Sequence, residues 1–150
     1  VEGSTQGRPG ENGTEVSATY KNISLTLSAS YTYQRAMDKT TPNGTTYNNQ
    51  LPYTPRHSGS FIISIETPRI GACINSAASG EYYSNSYNGK EYRMDAYSET
   101  GAVLWYSIKQ NKQHIQLRTE IINLFNTQYE LVTNYPMPGR QFRIGLNISL

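Results

Sequence analysis

Apolar and polar residues alternate with a period of two over most of this chain, and that rhythm constrains the fold more than any other feature. Ile23, Leu25, Leu27, Ala29, Tyr31 and Tyr33 are interleaved with Ser24, Thr26, Ser28, Ser30, Thr32 and Gln34. In an extended strand successive side chains leave opposite faces, so one face here is apolar and ends in tyrosine while the other is small and polar. Phe142, Ile144, Leu146, Ile148 and Leu150 repeat the design against Gln141, Arg143, Gly145, Asn147 and Ser149. So do Ile115, Leu117, Thr119 and Ile121, and Phe61, Ile63 and Ile65. Weaker copies elsewhere complete a prediction of strands near 14–21, 23–37, 57–66, 70–83, 96–108, 114–125 and 140–150.

The connections sort by length. Lys21-Asn22, Thr67-Pro68-Arg69 and Lys109 to Gln113 are short, whereas Lys39 to Arg56, which is rich in Thr, Asn, Pro and Gly, Asn85 to Asp95 and Asn126 to Gly139 are long. Short turns therefore fall at one end of the sheet and long loops at the other. The pattern predicts an all-β, antiparallel, up-and-down architecture with two unlike rims. A sandwich with Greek-key crossings has no reason to sort its loops this way.

Composition excludes several functions. No apolar run approaches the roughly 18 residues of a membrane-spanning helix. A net charge of +2 without a basic cluster gives no electrostatic case for nucleic acid. The single Cys73 has no partner for an internal disulfide or a thiolate zinc site. The two histidines, His57 and His114, fall at opposite rims, and Ser58 points away from His57, so no nucleophile, base and acid converge. No catalytic residue, metal or cofactor is expected. The Asn-x-Ser/Thr matches at Asn12, Asn22, Asn43 and Asn147 are assigned no function.

Alternation alone does not say which face is wet. A soluble sheet buries its apolar face in a core; an outer-membrane barrel turns that face to lipid and lines its lumen with the polar one. Three features favour the barrel. The strand from Ile23 to Tyr33 spans roughly 33 Å, or about 25 Å of vertical height at barrel tilt, matching a lipid-facing band. Glu15, Glu66, Glu81, Glu99, Arg118, Glu120 and Arg143 all take the polar phase, while Arg35 and Arg140 take the apolar phase only at the loop rim. Tyr31 and Tyr33 sit toward the long loops and Tyr20 and Tyr106 toward the short turns, as interfacial girdles do. The upper part of 96–108 fits least: Ser98 and Thr100 take the apolar phase and Tyr97 does not, which admits a bulge or a shifted phase.

The long loops are the expected ligand surface. Tyr47, Tyr53, Tyr82, Tyr83, Tyr87, Tyr92 and Tyr135 project aromatic and polar groups from a rigid wall, which suits a bulky, amphipathic ligand. The inward charges Arg118, Glu120 and Arg143 are expected to bond one another or to meet whatever fills the lumen, with Arg140 at its rim.

One stretch matches a known pattern. Ile122-Asn123-Leu124-Phe125-Asn126, then Tyr129-Glu130, then Tyr135-Pro136-Met137-Pro138-Gly139-Arg140 and the alternating final strand resemble the end of TonB-dependent outer-membrane receptors. There an N-L-F-N segment closes the penultimate strand and a Y-P-x-P-G-R segment opens the last. Pro55-Arg56-His57 before a strand also looks like the family. The resemblance implies that residues 1–150 are the C-terminal part of a larger barrel of about 22 strands, with the plug domain and earlier strands not in this chain. It further implies residence in the outer membrane and TonB-driven uptake of a ferric siderophore or similar scarce nutrient. The implied partners are outer-membrane lipid, TonB acting through the plug, and the barrel assembly machinery. Phe142, Ile144, Leu146, Ile148 and Leu150 would form the assembly signal, with Leu150 standing where the family usually has an aromatic residue. Two other readings compete: a soluble, tyrosine-rich β module that binds carbohydrate or protein, and a small outer-membrane barrel with an enzymatic or adhesive role.

Overall fold

The structure, a computed structural model, describes residues 2–4, 11–110 and 113–149. In chain order its strands are β1 (Glu2–Ser4), β2 (Glu11–Lys21), β3 (Leu25–Ala36), β4 (His57–Glu66), β5 (Ile70–Ser79), β6 (Tyr82–Tyr83), β7 (Arg93–Met94), β8 (Tyr97–Gln110), β9 (Gln113–Ile122), β10 (Glu130–Val132), β11 (Tyr135–Pro136) and β12 (Gln141–Ser149). A 3-10 turn at Lys90–Tyr92 precedes β7. The main sheet has the order β1-β2-β3-β4-β5-β8-β9-β12, and each pairing is antiparallel between strands that follow one another along the wall. The small pairs β6–β7 and β10–β11 belong to the long loops.

All seven expected strands are present, and the short β1 adds an edge strand against β2 that the sequence reading did not include. Two boundaries are corrected. The strand expected over 70–83 stops at Ser79; Tyr82 and Tyr83 instead pair with Met94 and Arg93 in a separate hairpin. The strand expected over 114–125 stops at Ile122, because Asn123 takes a left-handed φ of 52° that a ladder cannot accommodate. Residues 111–112 of the third short turn and Leu150, the last member of the expected assembly signal, lie outside the described residues.

The phase question on β8 is settled by register. The β5–β8 ladder runs from Ile70↔Tyr106 to Ser79↔Tyr97 without a shift, so no bulge intervenes. Thr100 stays on the apolar face, where its hydroxyl and that of Ser76 share a hydrogen bond at 3.0 Å, so that one of the two donors is met within the wall.

The short turns are held by their own polar side chains. Asn22 Oδ1 accepts the backbone N–H groups of Ser24 and Leu25, at 3.0 and 2.9 Å, which leaves Ile23 at the exposed tip rather than in β3. Thr67 Oγ1 caps the next turn by accepting from Ile70 N at 3.0 Å.

No second layer among the described residues covers this sheet. Among the described residues the buried apolar side chains are Ala36, Tyr82 and Met94, none of them in the middle of a wall strand. Leu104, Tyr106 and Ile108 on β8 are exposed, whereas Val103 and Trp105 between them are half-buried and Ser107 is buried. On β3 Ala29, Tyr31 and Tyr33 are exposed and Ser30, Thr32 and Gln34 are half-buried. On these two strands the polar side is thus the more crowded, inner face of the sheet, and the greasy side is the outer, uncovered one. Hydroxyls knit the inner wall: Ser30 to Ser60 at 2.7 Å and Thr19 to Ser28 at 3.1 Å. Gly71 is required there, because a Cβ at that position would lie 2.0 Å from the Trp105 ring, which rests flat on the strand.

Candidate functional site

The functional side of the molecule is the long-loop rim, and its last loop is built around two asparagines. Asn123 and Asn126 both adopt positive φ, 52° and 55°, a region that asparagine tolerates better than other residues with a Cβ. Asn123 is fully buried. Its Nδ2 donates to the carbonyls of Thr127 at 2.9 Å and Pro138 at 3.2 Å, and its Oδ1 accepts from Thr127 N at 2.8 Å. Asn126 Oδ1 accepts from Arg140 N at 2.9 Å, and Gly139 is needed because a Cβ there would approach the same oxygen to 2.6 Å. Between them, Leu124 N donates to Thr100 O at 2.7 Å, stapling the knot to β8. The N-L-F-N and P-G-R segments are therefore two halves of one fastening. Phe125 is 70% exposed, as is Phe142. Pro136 pairs with Glu130 in the β10–β11 hairpin.

Tyr129 fastens the same loop to the inner wall. Its ring stacks on Tyr97 at 4.3 Å and 11°, and its hydroxyl donates to the Glu99 carboxylate. Burial, then the Glu99 hydrogen bond and charge, push the Tyr129 phenol upward from its ordinary value. A raised phenol pKa means the tether is fully present below about 10, the unfolded value, and is lost only as pH climbs through the raised one. Tyr129→Phe in the full-length protein should leave the barrel's melting unchanged. It should also speed amide exchange in 127–138 roughly fivefold, the effect of about 1 kcal/mol for one half-exposed, charge-assisted hydrogen bond. Unchanged exchange in that loop, measured by mass spectrometry at neutral pH, counts against the tether.

The three long loops are tied to one another. Gln50 N donates to Asn88 Oδ1 at 2.6 Å while Asn88 Nδ2 returns a bond to Gln50 O at 3.0 Å. Asn49 Nδ2 donates to Ser86 O at 2.8 Å, and Tyr53 N donates to Tyr83 O at 2.8 Å. Tyr82 joins the second loop to the third: it is 4% exposed and its hydroxyl is shared between the carbonyls of Glu130 and Leu131, at 3.2 and 3.1 Å. Burial raises its phenol pKa. The loops at 37–56, 80–96 and 123–140 therefore form one bonded cap on this part of the wall.

The seven tyrosines expected to face a ligand divide on these contacts. Tyr82 is a strut between loops. Tyr53 lies beside it with ring centroids 6.1 Å apart, and Tyr47 sits under the Lys39 ammonium at 5.0 Å. Tyr83 lines an open recess of about 260 Å³ with Gln50, Arg56, His57 and Glu81. Tyr87, Tyr92 and Tyr135 are exposed at separate points on the cap. A second recess of about 260 Å³ is lined by Arg93, Met94, Asp95, Ala96, Gln128, Tyr129 and Glu130. Sequence reasoning did not pick Tyr97 and Glu99 as partners of Tyr129, nor Gln50 and Asn88; the only advance signal was the density of Asn and Thr in the loops.

On the inner face, Arg143 and Glu120 oppose each other in the β9–β12 ladder with 4.0 Å between charges, as expected from their phase. Arg118 faces Trp105 on one side and Gly145 on the other. Glu81 lies past the end of β5 and pairs with Arg93 at 3.6 Å. Arg140 is exposed, and its backbone N–H, not its guanidinium, makes the bond that closes the loop. Among the described residues no cluster of His, Cys, Asp and Glu is arranged to hold a metal ion.

Residues 6–124 match the family model described as TonB dependent receptor-like, beta-barrel. No curated protein matches the chain. Among solved structures, the unliganded ferric citrate transporter FecA superposes with a TM-score of 0.78 at 20% identity, over 93% of this chain and 24% of its own. BauA, the ferric preacinetobactin receptor of Acinetobacter baumannii, gives 0.78 at 18%, over 92% and 21%. Fiu, the ferric-catecholate import receptor of E. coli K12, gives 0.70 at 22%, over 92% and 20%. The chain thus spans about a quarter or less of each of these proteins, and what it shares with them at this identity is the fold: an antiparallel segment of barrel wall.

Proposed function

This chain belongs to the TonB-dependent receptor-like β-barrel family, and from that premise we propose that it is a stretch of wall and external loops of an outer-membrane active transporter. The family and its solved neighbours are receptors and transporters, not enzymes. The cargo proposed is a ferric siderophore or a related iron complex, with a corrinoid the next choice. FecA, BauA and Fiu are named for ferric ligands, and the tyrosine- and amide-rich cap offers a surface of matching chemistry.

The observation that carries this reading is the reversal of the usual burial pattern. On β3 and β8 the apolar side chains are the exposed ones and the side chains between them the crowded ones, and across the described strands no large apolar side chain of the outer face is buried. Such a sheet loses free energy in water and gains it in a bilayer. On this reading the long loops face outward from the cell, the chain is the C-terminal part of its receptor, and TonB acts on a plug that fills the lumen beside Arg118 and the Glu120–Arg143 pair. A soluble module would need a second layer over Leu104, Tyr106 and Ile108, and the described residues supply none.

A deletion strain grown with single iron sources, and separately with cobalamin as the limiting nutrient, tests the cargo. The expected result is loss of growth on one ferric chelate, restored by the intact gene and not by a version with the TonB-contacting segment removed. Normal growth on every iron source and on cobalamin would overturn the assignment of cargo. Recovery of the full-length protein from the soluble fraction would overturn the membrane reading itself.

A further inference from the structure

The outer face of the wall carries a charge pattern that lipid acyl chains do not explain. Among the described strand positions on that face there is no Asp or Glu, and the groups able to carry charge are Arg35 on β3 and His57 on β4. Arg140, one step before β12, continues the same phase. All three sit at the long-loop rim, and none could carry a negative charge.

Two of them share a site. Tyr33 pairs with His57 across the β3–β4 ladder, Tyr31 is two residues below it, and Arg35 follows about 7 Å further along the same face. The Tyr31 hydroxyl bonds to His57 Nδ1 at 2.7 Å, and both tyrosine rings flank the imidazole, with centroids 6.1 and 5.2 Å away. In the tautomer in which Tyr31 donates to Nδ1, the imidazole keeps its proton on Nε2 and that nitrogen is a donor. Neighbouring acids are otherwise engaged. Glu81, which lines a recess with His57, is paired with Arg93 at 3.6 Å, and the Asp38 carboxylate takes bonds from Thr40 N at 2.9 Å and Thr46 at 2.7 Å. What remains is a guanidinium, an imidazole donor and two phenol rings on an outward surface, at the height where hydrocarbon gives way to headgroups.

We propose that Tyr31, Tyr33, Arg35 and His57 form a headgroup site for a phosphorylated lipid of the outer leaflet. It rests on the membrane reading above. The guanidinium would take phosphate oxygens in a two-pronged bond, the imidazole would add a third donor, and the phenol rings would pack on the first acyl carbons and sugar faces. The acid-free strand positions are the complementarity: on the described strands of this face an anionic leaflet meets no carboxylate, and the nearby Glu81 is paired with Arg93.

The test uses the full-length receptor, extracted with mild detergent from outer membranes and weighed intact by native mass spectrometry. Added lipid A bearing its phosphates is the probe; enzymatically dephosphorylated lipid A and inorganic phosphate are the comparisons. The expected result is lipid A retained on the wild type and reduced at least about tenfold in R35Q/H57Q, as the loss of the two-pronged guanidinium bond and the imidazole donor implies. H114Q, the same histidine-to-glutamine change made at the opposite rim, should retain it in full. Heat-modifiable migration confirms that each variant is a closed barrel. Equal retention by R35Q/H57Q overturns the site while leaving the membrane reading intact. Equal retention of dephosphorylated lipid overturns the phosphate chemistry, and displacement by millimolar inorganic phosphate alone would mean an ion site instead of a lipid one.

Discussion

Ile74→Arg in the full-length receptor should all but abolish the assembled barrel, while Asn75→Arg, one residue along the same strand, should leave most of it in place. Ile74 lies at the centre of β5 on the outer face, 46% exposed, between Ile63 on β4 and Ala102 on β8. Asn75 occupies the same depth with its side chain on the inner face, opposite Ile62 and Gly101. An arginine turned to lipid at mid-depth costs about 2–4 kcal/mol, up to roughly 10²- to 10³-fold in the folded population. An arginine in the lumen meets water and the polar wall. The check is the fraction of protein with heat-modifiable migration in purified outer membranes. Because the two sites are adjacent, any general effect of a long cation on strand propensity falls on both equally. Equal loss at both positions, or at neither, would mean the outer face does not meet acyl chains.

How far the fold could be read in advance follows from the same alternation. A wall strand that separates lipid from lumen must keep strict phase, so β2 to β5, β8, β9 and β12 were visible in the residues, to within a few positions at their ends. Register on β8 was ambiguous because lipid tolerates small hydroxyls that bond to each other. Ser76 and Thr100 do so, and no hydropathy pattern announces such a pair. The strand ends were read too long where an asparagine with positive φ ends the ladder, since Asn123 looks like any polar residue until its backbone is seen. The loops were least legible. Their order comes from side-chain amides reaching backbone groups many residues away, as in the Gln50–Asn88 exchange, and those contacts have no period. For the same reason Tyr82 resembled a ligand residue by type and proved to be a strut by position. The inner charges fared better, because Arg143 and Glu120 are set opposite each other by the ladder alone.

The fastening at Asn123 should be the most sensitive point of the rim. Asn123→Ala removes a buried amide that donates to two carbonyls and accepts from Thr127 N, and it places a plain Cβ residue at a φ of 52°. Unmet buried groups cost about 1–3 kcal/mol and left-handed backbone about 1 kcal/mol more. The loss falls on the loop at 123–140 rather than on the wall, whose ladders do not depend on it. Two companions separate the contributions. Asn123→Gly relieves the backbone but not the hydrogen bonds, so it should recover only the smaller share. Asn123→Asp keeps the acceptor for Thr127 N but sets a carboxylate oxygen against the carbonyls of Thr127 and Pro138, so it should be at least as harmful as alanine. Limited proteolysis and amide exchange across 123–140 are the readouts, with heat-modifiable migration as the control for the wall. The order expected is wild type most protected, then glycine, then alanine and aspartate. If glycine matched wild type, the knot would be a matter of backbone shape alone, and the buried amide, with its three hydrogen bonds, would contribute nothing.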